Sequence, residues 1–365
     1  ATDINGIVTI STGTLDANGA FDAAGTGDAT GGIITFTDAG NLELSGAVTS
    51  LGVLTAVDHG TVTYDGAGAQ SIVSDVYVNL IAGGAAGQTK TLAGNVTASG
   101  AFTTDALVTT AIGGNELDVA GATDINGTVT IAAGTLDANG TFDATGGNVT
   151  FTAGGNLELE GAVTSLGTLT HTLGTVTYNK GAGDQDIFAD TYFELIVDNA
   201  GTKELTGAVI VNEDLTIETG VTLDVTTGDH PINIKRHFEN KGAFTSEDGT
   251  ITFDGDDDQE FKPGASTYYN IIFATTGPAT KKLIINDGPL NANPLVMTND
   301  LTVTTGTFDL GSYDSAFSIA GDLLISNGAK WAKGGLVTFN GGLTGQTFTD
   351  SNIPPVANLG DITVD

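Results

Sequence analysis

The chain has 365 residues, 53 of them glycine, with no cysteine and 44 acidic against 11 basic residues, a formal net charge of −33. That balance, with Arg236 as the only arginine, argues strongly against a nucleic-acid binder, which needs a cationic face for phosphates, and disfavours an anionic membrane surface. Without cysteine there are no disulfides, thiolate metal sites or thiol nucleophile, and no apolar run approaches the roughly 20 residues of a membrane-spanning helix. Hydrophobic residues at 40% supply enough apolar surface for a core.

In chain order, the first feature is a repeat. Residues 1–23 recur at 122–144 with 19 of 23 positions identical, and 30–55 recur at 145–170 with 20 of 26 identical. The first copy holds six extra residues, AGTGDA at 24–29, and an insertion between near-identical flanks belongs in a surface loop. Differences between the copies mark strand faces. Ile7 becomes Thr128 while Val8 and Ile10 stay apolar; Ile33 becomes Asn148 while Ile34 and Phe36 stay apolar; Ser45 becomes Glu160 beside Leu42 and Leu44. Polar exchange at every second residue is the pattern of half-buried β-strands, with Val8, Ile10, Ile34, Phe36, Leu42 and Leu44 inward.

A more divergent module opens with GTVTY (60–64), GTVTY (174–178), GTITF (249–253) and GLVTF (335–339). A glutamine follows each opening: Gln70, Gln185, Gln259, Gln346. Then come an aromatic–apolar strand (76–81, 192–197, 268–273), a lysine–leucine strand (Lys90, Lys203 or Lys281, each two before a leucine) and a DLT strand (214–216, 300–302). Strands of four to six residues are expected, separated by Asn-Gly or Asp-Gly pairs: Asn5-Gly6, Asn18-Gly19, Asp65-Gly66, Asn126-Gly127, Asp254-Gly255, Asn327-Gly328 and Asn340-Gly341. Such pairs suit positive-φ corners. No stretch has sustained helical periodicity.

Constant domain or blade lengths are absent, which argues against a sandwich array or a propeller. A solenoid tolerates inserted coils because each coil touches only its neighbours. The predicted fold is therefore all-β: one continuous, elongated parallel β-solenoid over 1–365, right-handed as parallel crossovers are. It comprises internal repeats 1–59 and 122–173 and divergent modules 60–121, 174–248, 249–334 and 335–365, the last truncated. At roughly 20–25 residues per coil, about 15–18 coils are expected.

The pattern carried best by 60–81, 174–225 and 249–310 resembles the repeats of large secreted bacterial surface proteins, the filamentous-haemagglutinin-like and autotransporter-like β-solenoids. The resemblance implies an extracellular, cell-surface location and an adhesive or fibrous role, and carries no catalytic signature.

Candidate chemistry is sparse. Four of the five glutamines occupy one module position, either as a row of ligand contacts or, as polar corner groups require partners, as amides that bind the turn's own backbone. Asp254, Asp256, Asp257 and Asp258 offer oxygens for Ca²⁺, but an EF-hand is excluded by Gln259 at loop position six and Ala265 at position twelve; a solvated acidic corner is the expectation. Asp229-His230 and Arg236-His237 would serve a carbohydrate-cleaving site only if they converge. His59 and His171 fall near corresponding repeat positions but out of register. Thr61/Thr63, Thr175/Thr177 and Thr250/Thr252 read as outward β-formers in place of an ice-binding array. No catalytic, cofactor or metal residue is assigned, no cofactor is required, and the expected activity is non-enzymatic. The alternative is a carbohydrate-binding or carbohydrate-cleaving β-helix. The chain reads as a mature product or an excerpt, uncapped at both ends. The expected partner is therefore itself, head to tail, or flanking repeats of a longer chain, with cell-surface glycans as a further ligand class and no nucleic acid or membrane insertion.

Overall fold

A computed structural model describes residues 1–24, 31–56, 59–225, 227–286, 293–342, 345–355 and 357–364. These residues form two units, Ala1–Val176 and Thr177–Asp365. Each is an all-β, parallel β-solenoid, with about 16 turns in all and no helix among the described residues. Except at sheet edges and where Val337–Phe339 pairs with Ile362–Val364, each described strand pairs with the third strand before and after it, so three short strands close one turn. Turn length varies: the ladder carries Val62 to Leu80 in the first unit but Ile271 to Leu301 in the second, a far longer stretch of chain for the same single turn.

Leu15 pairs with Leu42, and its counterpart Leu136 pairs with Leu157. The same leucine meets the same leucine in both copies despite the longer first connection. Of AGTGDA itself only Ala24 is among the described residues.

The core is built of inward columns. Leu117, Leu136 and Leu157 stack in register with no exposure. In the second unit Phe238 and Phe261 stack at 5.3 Å, as do Phe308 and Trp331 at 5.0 Å. Burial of each such side chain stabilises by about 1.5–3 kcal/mol. Ile10, Ile34, Phe36, Leu42 and Leu44 point inward as expected. Val8 is only half-buried while its counterpart Val129 is fully covered: Ile7–Ile10 is an edge strand beside Ile33–Phe36, whereas Thr128–Ile131 has strands on both sides.

Three local expectations are corrected. Strands run from two to five residues, and the aromatic–apolar segments are each two strands with a corner between. Val76–Tyr77 and Asn79–Ala82 lie in different sheets. Tyr77 and Leu80 are both buried although three positions apart, which one straight strand of period two cannot achieve. Second, of the seven glycines named above in Asn-Gly and Asp-Gly pairs only Gly328 has positive φ. Gly66, Gly127, Gly255 and Gly341 serve close stacking, whereas Gly6 has open space: a Cβ on Gly255 would sit 1.8 Å from the Lys235 carbonyl oxygen of the turn beneath, and one on Gly66 2.6 Å from that of Ser45. Third, register gives Gln70 to Lys90 and Gln185 to Lys203, but Gln259 to Leu283. Leu283, not Lys281, therefore takes the inward lysine's place in the third module.

The two near-identical copies do not share a face. TLDA at Thr14–Ala17 and TLDA at Thr135–Ala138 belong to different sheets of the first unit. In the second unit Thr250–Phe253 and Val337–Phe339, both module openings, likewise lie in different sheets. Within each unit, a recurrence of the sequence motif is thus displaced by one face of the three.

Candidate functional site

The repeated glutamines sit where two turns stack at a corner. Gln259 is fully buried; its Oε1 accepts the Gly255 N–H at 3.0 Å, and its Nε2 donates to the carbonyls of Ile234 (2.9 Å) and Arg236 (3.0 Å) one turn below. Gln70 repeats this with the Gly66 N–H and the Leu44 and Gly46 carbonyls. Gln346 does so with Gly341, Ile319 and Gly321, and Gln185 accepts the Lys180 N–H. One carboxamide therefore ties its own turn to alternate carbonyls of the preceding one, satisfying groups that burial would leave costly. In the second unit Gln185 and Gln259 lie in different sheets, so they form no row along a face.

Buried cations complete two of these corners. Lys90 is fully buried, and its Nζ donates to the Gly66 carbonyl (2.7 Å) and Gln70 Oε1 (2.8 Å). Lys203 is equally buried and donates to the carbonyls of Lys180 and Ala200. Desolvation lowers the pKa of both amines. In the third module, with leucine at this position, the Thr275 hydroxyl donates to the Gly255 carbonyl at 2.8 Å, the group equivalent to the one Lys90 holds.

Sequence reasoning missed a third polar device. Tyr64 and Tyr77 are buried, their hydroxyls 2.9 Å apart; Val73 N–H donates to Tyr64, and Tyr77 donates to the Val73 carbonyl. Burial pushes the Tyr64 phenol up to about 12. Tyr178, Tyr192 and Phe188 repeat the arrangement. Where Phe253 replaces the first tyrosine, Asn240 Nδ2 instead donates to Tyr268 at 3.1 Å. The clue was present: this tyrosine pair keeps its inward phase in two modules.

The catalytic candidates do not converge. Asp229 and His230 precede the strand Ile232–Ile234, and Arg236 and His237 follow it, at separate corners. Asp229 accepts the Asp248 N–H, Arg236 pairs with Glu213 at 2.7 Å, and His237 Nδ1 accepts the Glu260 N–H at 2.9 Å. A shallow groove of about 110 Å³ beside His237 is lined by Asp214, Thr216, Glu239, Glu260 and Lys262, but Lys262 is engaged with Glu239 at 3.0 Å. At the acidic corner, Asp257 pairs with Lys281 and Asp258 accepts the Lys282 N–H at 3.0 Å, while one oxygen of Asp254 is enclosed without a partner and burial raises its pKa. Among the described residues no group of three or more Asp, Glu or His side chains is placed to hold a metal ion. His59 and His171 are both exposed; His59 directly precedes Gly60 and His171 lies three residues before Gly174, the glycines that open successive modules. The Thr-x-Thr residues alternate with buried valine or isoleucine and face outward.

Charge is distributed differently in the two units. In the first, Asp118, Asp137 and Glu158 stack in register, and Lys90, the unit's only lysine or arginine, is buried. In the second, Glu218, Lys241, Glu239, Lys262 and Glu260 form a chain of alternating ion pairs across the turns.

Comparison with protein-family profiles, with curated proteins and with solved structures finds no match. What stands from the likeness to bacterial surface repeats is the fold.

Proposed function

We propose that the protein is a non-enzymatic structural β-solenoid of the cell exterior, a fibre subunit or a segment of a large surface adhesin or stalk that continues end to end. The observation that carries this reading is the use of the recurring polar residues. The module glutamines, buried lysines and tyrosine pairs all bind backbone or one another inside the stack, and the motifs recur on different faces, so repetition builds length in place of a ligand-binding row.

The test is a glycan array together with a polysaccharide-degradation assay. The structural reading expects no cleavage and no binding that depends on the Asp229 or His237 side chains. Clear activity abolished by Asp229→Asn or His237→Ala would establish the carbohydrate-active reading instead.

A further inference from the structure

The turns of residues 1–56 present three flanks of unlike chemistry. One carries Asp3 and Asp22 in register, and a second carries Asp16 and Glu43. The third, made of Ile7–Ile10, Ile33–Phe36 and Val53–Ala56, shows no charged strand residue. Its outward side chains are two in-register columns, Ile7–Ile33–Val53 and Thr9–Thr35–Thr55. Ile7 is 71% exposed and Val53 55%.

The repeat shows that the fold does not require this apolar column. In the second copy the same three positions, in the same register, are Thr128, Asn148 and Thr168, and Asn148 Nδ2 reaches Thr128 Oγ1 at 3.3 Å. The inward residues of the two copies remain apolar, so the difference is confined to the solvent side. An apolar stripe that the scaffold does without marks a contact surface.

We propose that this flank is a lateral docking surface for a second copy of the chain, the Ile7–Ile33–Val53 column of one molecule lying against that of another about a two-fold axis. Charge selects this occupant. At a net charge of −33, two copies repel wherever carboxylate flanks face each other, and the neutral stripe lets them approach to the ~10 Å of packed sheets. A cationic partner would be drawn to the Asp3/Asp22 and Asp16/Glu43 flanks instead. The stripe is self-complementary, as a two-fold contact requires. Six side chains cover less than the roughly 800 Å² per partner of a standard stable interface, so the pairing is weak, concentration-dependent and strengthened by salt that screens the carboxylates. It is lateral, and does not rest on axial continuation.

The second copy supplies variants that the fold already accepts. Sedimentation velocity of the full chain is compared with that of the triple variant Ile7→Thr, Ile33→Asn, Val53→Thr at 0.1 M and 1 M NaCl, with far-UV circular dichroism as the folding control. The expected result is self-association that tightens with salt and weakens by about tenfold or more in the variant, with an unchanged spectrum. The reverse variant, Thr128→Ile, Asn148→Ile, Thr168→Val, should associate more tightly than the parent. Equal association of parent and triple variant would overturn the proposal, as would a parent that stays monomeric at both salt concentrations. Stripe-dependent binding to zwitterionic, net-neutral phosphatidylcholine vesicles without self-association would assign the flank to lipid and overturn it equally.

Discussion

Replacing Gln259 with alanine isolates the corner amide. The substitution strands the buried Gly255 N–H and frees the Arg236 carbonyl at a partly buried site, while the Ile234 carbonyl keeps the Asp254 N–H at 3.2 Å. An unsatisfied buried group costs about 1–3 kcal/mol; with water able to reach the Arg236 oxygen, the one stranded group sets the loss at about 2 kcal/mol. Gln346 makes the same three bonds but is half-buried, so water replaces much of what Gln346→Ala removes and its cost is about 1 kcal/mol. Stacked repeats need not unfold in one step, so amide hydrogen exchange at the corner is the suitable assay. In Gln259→Ala the protection of Gly255 should fall about 30-fold, equivalent to about 2 kcal/mol, against less than tenfold for Gly341 in Gln346→Ala. Gln88→Ala, the glutamine outside the module position, should leave both unchanged. Equal effects of the three substitutions, or undiminished protection of Gly255, would refute the amide's assigned role.

Two further substitutions test packing and charge. Gly174 has φ of +84°, and a Cβ there would lie 2.2 Å from the Phe151 ring, so Gly174→Ala should destabilise the first unit by about 3 kcal/mol from left-handed strain plus overpacking; Gly6→Ala, with nothing within 4 Å, should leave the thermal midpoint unchanged, and similar melts for the two would contradict the stacking geometry. The Asp137 carboxyl is pushed up to about 6, first by burial and then by Glu158, Asp118, Glu160 and Glu116. Its folded value lies above the unfolded one of about 3.9, so the folded state binds the proton more tightly and stability rises as pH falls from about 6 toward 4. Asp137→Asn should raise the melting temperature at pH 8 and flatten its dependence between pH 7 and pH 5; an unaltered slope would show that the acidic column does not govern this response.

Much of the fold was legible because two copies could be compared. Exchange of Ile7 for Thr128 and Ile33 for Asn148, against constant neighbours, marks inside and outside without any structural knowledge. The corners were harder to read. Asn-Gly and Asp-Gly pairs suggest positive φ, but at Gly66 and Gly255 the constraint is the backbone of the turn beneath, and sequence does not say which residues lie there. The break between Tyr77 and Leu80 was visible as an odd spacing of inward side chains, yet it reads as one strand when each residue is judged on propensity alone. Lys281 was misaligned because Lys-x-Leu spacing matched Lys90 and Lys203, whereas pairing with Gln259 gives that place to Leu283. The displacement of repeated motifs between faces could not be derived from spacing. The turn from Val62 to Leu80 is so much shorter than the one from Ile271 to Leu301 that distance along the chain is a poor measure of rotation.

Electron microscopy of the purified, negatively stained protein bears most directly on the claim that this solenoid is a structural element joined end to end. The account predicts slender rods and, at rising concentration, filaments whose oriented diffraction shows a ~4.8 Å axial repeat from stacked strands. Compact, uniform particles, together with a single 36.7 kDa monomeric species at every concentration, would contradict it.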